Sequence, residues 1–301
     1  MDRRQFTMTA LGVASVAALP TALAGPEHMI YKSVPSSGEV IPLLGIGTNL
    51  FGVNDTVAAR VPLLATLKRF HQLGGRQFDT APDYDASESV LGDLIAELGI
   101  GDDLFFGTKT DQLNADDTRA QMLSSSEKLK TEKFDLMQVH SLLGWYTAFP
   151  VLREWQQEGR IRYIGMTTSS SEQYEDFESI MRKEKPDLIQ INYSLQQRES
   201  ADRILPLAAD LGIGVIINRA LNRGRILKAV GNKPLPGWAK DFGCHTWPQF
   251  LIKYSAGHPS TTSVVVGMTQ VHHVEENFGA AHGHLPSAEE RQRMEKFYDA
   301  L

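Results

Sequence analysis

From residue 43 onward the chain alternates short apolar runs with amphipathic stretches of helical length. The runs read PLLGIG, RQFDT, DLFFGTK, KFDLMQVH, IRYIGMT, DLIQINY, GIGVIIN and TSVVVG, eight in all, each short enough for a strand buried on both faces. Between them lie helical patterns such as TVAARVPLLATLKRFHQLG, which closes on Gly74-Gly75 as a helix stop should. The earlier segment MIYKSVPSSGEVIP predicts a β-hairpin with Ser37-Gly38 as its turn. Eight β/α units in about 250 residues fit a (β/α)8 TIM barrel, α/β in class, with an N-terminal hairpin and one long insertion after strand seven, residues 227–247. No Pro/Ser-rich linker or low-complexity tract interrupts residues 25–301, so they read as one domain.

A barrel of this kind builds its site where the strands end, from residues that are far apart in the chain. The strand-end residues are Asp79, Lys109, His140, Thr167, Thr168, Gln190, Asn192 and Asn218. Asp79, Lys109 and His140 follow one another at intervals of one β/α unit, so three ionisable groups converge on one mouth. Tyr84 stands just beyond Asp79, after the break at Pro82 and before an amphipathic helix. Each residue has a plain alternative: Asp79 as a turn residue, Lys109 as a solvated strand end, His140 as a core histidine. All of these must hold at once for the group to lack a chemical role.

FDTAPDY, GTKT and QVHS resemble the motifs of the aldo-keto reductases, and the resemblance runs from the opening LGIGT to the closing VVVGMTQVHHVEENF. It implies a catalytic tetrad of Asp79, Tyr84, Lys109 and His140, and a nicotinamide cofactor, usually NADP(H), bound without a Rossmann domain. The residue chemistry agrees with that assignment. Reducing a carbonyl needs hydride at carbon and a proton at oxygen as charge builds there. A free phenol, with a pKa of about 10, is a poor donor at neutral pH. Lys109 would favour the phenolate and make Tyr84 a better acid, Asp79 would hold the ammonium, and His140 would hydrogen-bond the carbonyl oxygen.

The resemblance also supplies cofactor-binding positions. They are Gly47 and Thr48 in LGIGT, Gln190 with Thr167 or Thr168 for the nicotinamide amide, and Gly267, Thr269, Glu276 and Asn277 for the adenosine half. Asn218 stands where the family commonly has an aromatic residue that stacks on the nicotinamide. His273 stands where a basic residue often meets the 2′-phosphate, so preference for NADPH is weaker than the family default and NAD(H) is the alternative. Arg219, Arg223 and Arg225 lie in the loop after strand seven, where barrels commonly bind phosphate, and guanidinium groups suit pyrophosphate. The histidines of VHHVEENFGAAHGH read as a polar helix face and not as a metal site.

Composition narrows the partners. With 30 Lys and Arg against 36 Asp and Glu, the chain is mildly acidic, which argues against nucleic acid. Its single cysteine, Cys244, excludes an internal disulfide framework. Residues 1–24 read as a twin-arginine signal: Arg3-Arg4 precede TALGVASVAALPTALA, which ends in the small-x-small pattern Ala22-Leu23-Ala24. Gly12 and Pro20 interrupt that run, which falls short of the roughly 20 apolar residues of a membrane span, so no stable anchor is expected. The expectation is therefore a barrel folded in the cytoplasm, handed to the twin-arginine export machinery and delivered to the periplasm.

The leading functional expectation is an NADP(H)-dependent oxidoreductase acting on a small aldehyde, ketone or sugar-like carbonyl, or on the corresponding alcohol. The alternative is a nucleotide-holding sensor or partner-binding protein without turnover. A glycoside hydrolase would need a second acidic group at a strand end, and none stands there. The loops LLGWYTAF and KPLPGWAKDFGCHTW offer Trp145, Tyr146, Trp238 and Trp247 either as substrate contacts or as packing.

Overall fold

The computed structural model describes residues 29–301; the export-signal expectation falls on residues outside the described ones. The hairpin forms as expected: β1 (Tyr31–Ser33) pairs antiparallel with β2 (Val40–Pro42), with Tyr31 opposite Pro42. Gly38 takes the turn position at φ +75°, in the left-handed region that favours glycine.

Eight parallel strands then close a barrel. They are β3 (Leu44–Gly47), β4 (Gln77–Asp79), β5 (Phe105–Thr110), β6 (Phe134–Val139), β7 (Ile161–Thr167), β8 (Leu188–Asn192), β9 (Gly214–Asn218) and β10 (Thr261–Gly267), with β10 bonded to both β9 and β3. Helices α1 (Val57–Gln72), α2 (Ser87–Leu98), α3 (Ala115–Leu129), α4 (Trp145–Gln157), α5 (Tyr174–Glu184) and α6 (Ile204–Leu211) follow the strands in turn. The ring is completed by α7 (Arg225–Val230), α8 (Trp247–Ala256), α9 (Val271–Phe278) and α10 (Ala288–Asp299). No helix among the described residues is long and apolar enough to cross a membrane.

Side chains alternate across each strand, and the alternation divides the core in two. Ile46, Phe78, Phe106 and Met137 join Leu67, Phe70, Leu91 and Leu94 of the helices in the larger buried cluster. The opposite strand face fills the barrel. At its N-terminal end Phe105, Leu136, Tyr163, Leu188, Ile216 and Val265 pack with Val34 and Ile41, so the hairpin plugs that end. The same face then carries Gln77, Asp79, Lys109 and Gln138 toward the other end. Glycines make room for the two glutamines: a Cβ on Gly45 would sit 2.9 Å from Gln77 Cδ, and one on Gly165 would sit 2.9 Å from Gln138 Cγ.

The insertion after β9 holds α7 and a short 3₁₀ turn, Gly237–Phe242. Trp238 packs against Phe242, Phe250 and Phe297, and Trp247 stacks on Phe297 at 6.2 Å. Trp238 therefore ties the insertion to α8 and α10, and Trp247, the first residue of α8, packs that helix on α10. Lys253 of α8, fully buried, donates to the carbonyls of Phe242, His282 and His284, which anchors the 3₁₀ turn to the loop before α10.

Candidate active site

Period-two alternation and barrel register bring Asp79, Lys109 and Gln138 together. Asp79 lies opposite Gly107, two residues before Lys109, and Lys109 lies opposite Gln138. Lys109 Nζ donates to Asp79 Oδ2 at 2.8 Å and to the Thr80 carbonyl at 2.6 Å. The other carboxylate oxygen, Asp79 Oδ1, accepts from Gln190 Nε2 at 2.7 Å and from Gln138 Nε2 at 3.3 Å. The ammonium is 1% exposed, so its partners must replace all of its water. Burial pulls Lys109 down, but Asp79 and Tyr84 more than offset it and hold the ammonium above the ordinary lysine range.

Tyr84 is carried by the turn between β4 and α2, where its N–H bonds the Ala81 carbonyl at 3.2 Å and its carbonyl accepts from Ser87 N–H at 2.9 Å. Its ring lies over Lys109, whose Nζ is 4.9 Å from the ring centre. His140 meets the Tyr84 ring edge to face, with 5.8 Å between centres. Burial pushes the Tyr84 phenol up; Lys109 works against this, Asp79 and Asp83 with it, and the phenol ends above its ordinary range. Thus Lys109 alone does not set the acidity of Tyr84, and the resting site holds a charged lysine beneath a loaded phenol.

Asp83 is a site residue that sequence reasoning missed. Its Oδ1 lies 3.3 Å from His140 Nδ1. Burial raises the Asp83 carboxyl, but His140 and Lys109 hold it below the usual aspartate range. Asp111, in the loop after β5, completes a group in which one ligand-type atom each from Asp83, Asp111 and His140 lie within 4.8 Å of one another.

The strand-end residues expected at the nicotinamide also meet. Asn218 Nδ2 donates to the Thr168 carbonyl at 3.2 Å and to Gln190 Oε1 at 3.4 Å, and Thr167 Oγ1 accepts from Ser141 N–H at 3.2 Å. Asn218 Oδ1 is buried without a hydrogen-bond partner. A buried acceptor left unpaired costs free energy, so it marks a place for an N–H from a bound molecule. Thr48 ties β3 to the site, its Oγ1 donating to the Asp79 carbonyl at 3.2 Å.

Arg219 stands at φ +53° and sends Nη1 to the Ser169 carbonyl at 2.9 Å. Burial and the positive charges of Arg223 and Arg225 hold its guanidinium below the ordinary range, a repulsion that an anion would relieve. Gly47 and Gly267 face each other at the ends of β3 and β10. Thr269 follows β10, Glu276 and Asn277 lie on α9, and the Glu276 carbonyl accepts from Gln249 Nε2 at 2.9 Å. Arg219 lies near enough to Tyr84 for their charges to interact, so the end of β9 opens onto the same mouth as the tetrad.

Comparison with known proteins agrees with this fold. The model of the aldo/keto reductase family matches residues 43–299. The chain is 30% identical over 216 residues to the aldo-keto reductase YhdN of Bacillus subtilis, a match covering 65% of this chain and 63% of that protein. It is 24% identical to the L-galactose dehydrogenase of Arabidopsis thaliana, covering 83% and 87%. Among solved structures, the holo form of aldo-keto reductase AKR11C1 from Bacillus halodurans superposes with a TM-score of 0.74 at 22% identity, covering 89% of this chain and 96% of that one. A Klebsiella pneumoniae aldo/keto reductase solved with NADP and acetate also gives 0.74, at 21% identity and covering 89% and 95%.

Proposed function

Because the chain belongs to the aldo/keto reductase family, we propose that it interconverts a small aldehyde or ketone and its alcohol, using NADP(H) or NAD(H), with Tyr84 as the proton donor. The observation that carries this reading is the buried Asp79–Lys109 pair directly beneath the Tyr84 ring. A buried ion pair is a costly way to fill a barrel with stability alone, whereas a fixed cation under a phenol suits proton transfer.

The nicotinamide nucleotide, when bound, supplies or accepts the hydride. The chain's own residues handle the proton and the oxygen. Tyr84 rests as a loaded phenol and gives its proton to the carbonyl oxygen as negative charge builds there. Lys109, locked by Asp79 and Thr80, stabilises the phenolate left behind. Gln138 and Gln190 hold Asp79 so that the ammonium does not shift as charge moves. His140 flanks the same space and orients the substrate oxygen.

The residues fit a nicotinamide nucleotide. The unpaired Asn218 Oδ1 would accept from the carboxamide, and Arg219, with Arg223 and Arg225, would meet the phosphates. Gly47 and Thr48 would join the cofactor site, and Gly267, Thr269, Glu276 and Asn277 would hold the adenosine half, with His273 on the same helix as Glu276. The relative named for L-galactose adds sugars to the carbonyls worth testing. The experiment is NADPH consumption with a panel of aldehydes, ketones and aldoses. Turnover with at least one class supports the reading, and tight nucleotide binding without turnover on any of them overturns it.

A further inference from the structure

Asp79 holds more than Lys109. The order of strands around the ring puts β8 opposite β4, and Gln190 of β8 spans the barrel to reach Asp79 Oδ1 at 2.7 Å. Gln138 of β6 approaches the same oxygen at 3.3 Å, while Oδ2 takes the Lys109 ammonium at 2.8 Å. All three of these partners are donors. A carboxylate only accepts hydrogen bonds, whereas an amide has an NH2 on one side and an acceptor oxygen on the other. Each glutamine must then turn its NH2 toward Asp79 and its oxygen away. Gln138 shows how strongly the carboxylate dictates this: its Oε1 is left buried with no hydrogen-bond partner, a cost that the bond to a charged oxygen offsets.

Gln190 passes the orientation on. Its Oε1, turned away from Asp79, accepts from Asn218 Nδ2 at 3.4 Å, and the Thr168 carbonyl accepts from the same nitrogen at 3.2 Å. Both partners only accept, so the group that Asn218 keeps free is Oδ1, buried without a partner. We propose that Asp79 is a positioning residue for the nucleotide as well as a member of the tetrad: through Gln190 it fixes Asn218 as a hydrogen-bond acceptor, and so selects a bound group that has an N–H to give. This rests on the reductase reading above, in which a nicotinamide nucleotide occupies the mouth. The nicotinamide carboxamide carries such a group on its NH2. A ring bearing only a carbonyl there would set one acceptor oxygen against another. The charge that holds Lys109 in place thus also reaches cofactor choice on the far side of the barrel.

The test uses the full chain and two oxidised nucleotides, NADP+ and its 3-acetylpyridine analogue, in which a methyl group replaces the carboxamide NH2. Their dissociation constants are measured by calorimetry, so no turnover is required. Wild type should bind the analogue about tenfold more weakly, the worth of one hydrogen bond. Asn218→Leu should bring the two constants together. Gln190→Leu, which cuts the relay and leaves Asn218 and Thr168 in place, should reduce the ratio to about threefold or less. Asp79→Asn should do the same, because an asparagine can donate and no longer forces the glutamine; if Lys109 without its partner prevents folding, Gln190→Leu decides. Damage to packing alone weakens both nucleotides alike and leaves the ratio where it was. Equal binding of the two nucleotides by wild type overturns the proposal and leaves the reductase reading standing. A ratio that survives in Gln190→Leu also overturns it, since Thr168 alone would then hold Asn218. A wild type that binds neither nucleotide overturns both.

Discussion

Lys109 has exchanged all of its water for two oxygens and the face of a phenol, and that exchange dictates how the mouth responds to substitution. Tyr84→Phe keeps the ring and removes only the proton, so turnover should fall by about 10² to 10⁴ while nucleotide binding persists; steady-state rates and a binding titration check this. Lys109→Met should abolish turnover and leave Asp79 a buried carboxylate held only by amides, costing about 3–5 kcal/mol in a urea titration. Removing the carboxylate as well, in Asp79→Asn with Lys109→Met, should restore much of that stability and none of the activity. At this scale the tetrad residues were legible because each ends a predicted strand or follows one directly. Gln138 was not, because inside KFDLMQVH a polar residue facing the barrel interior looks like an irregularity in an apolar run. Asp83 was hidden for the opposite reason, since an aspartate after a proline is what any turn contains.

Among the elements, the turn between α8 and β10 is sensitive to acid. His258 Nδ1 accepts from the Ser260 N–H at 3.3 Å, and the ring meets Tyr193 edge to face at 5.6 Å. Burial, with Arg291 and Lys32 nearby, pulls its pKa from the usual 6.5 to about 4. As pH falls below about 6.5 the unfolded chain binds this proton and the folded chain does not, so stability present at neutral pH is lost between about 6.5 and 4. Allowing for partial exposure, the loss is on the order of 1–2 kcal/mol. His258→Asn keeps an acceptor for Ser260 and removes the titration, so its urea midpoint should be flatter across that pH range than that of the wild type. The helices themselves were readable from their periodicity and stops, as at Gly74 at φ +95°. The insertion was not, because Trp238 and Trp247 find partners on α8 and α10 that no local pattern announces.

At the scale of the whole molecule, barrel closure was legible because strands covered on both faces read as unbroken apolar runs. The proposed nucleotide-binding side rests on residues in loops and on α9, where position is set by the barrel and not by periodicity. Export is a proposal that belongs to the entire chain. Arg3→Lys with Arg4→Lys should leave the precursor in the cytoplasmic fraction, and equal periplasmic recovery would remove the twin-arginine reading. The central claim, that hydride moves between a bound nucleotide and a carbonyl under Tyr84, is tested most directly by isotope transfer. NADPH carrying deuterium at C4 of the nicotinamide should place it on the former carbonyl carbon of the product in wild-type protein, and Tyr84→Phe should bind the nucleotide but transfer almost none. Nucleotide bound by wild type with no deuterium reaching any carbonyl in the panel would contradict the account.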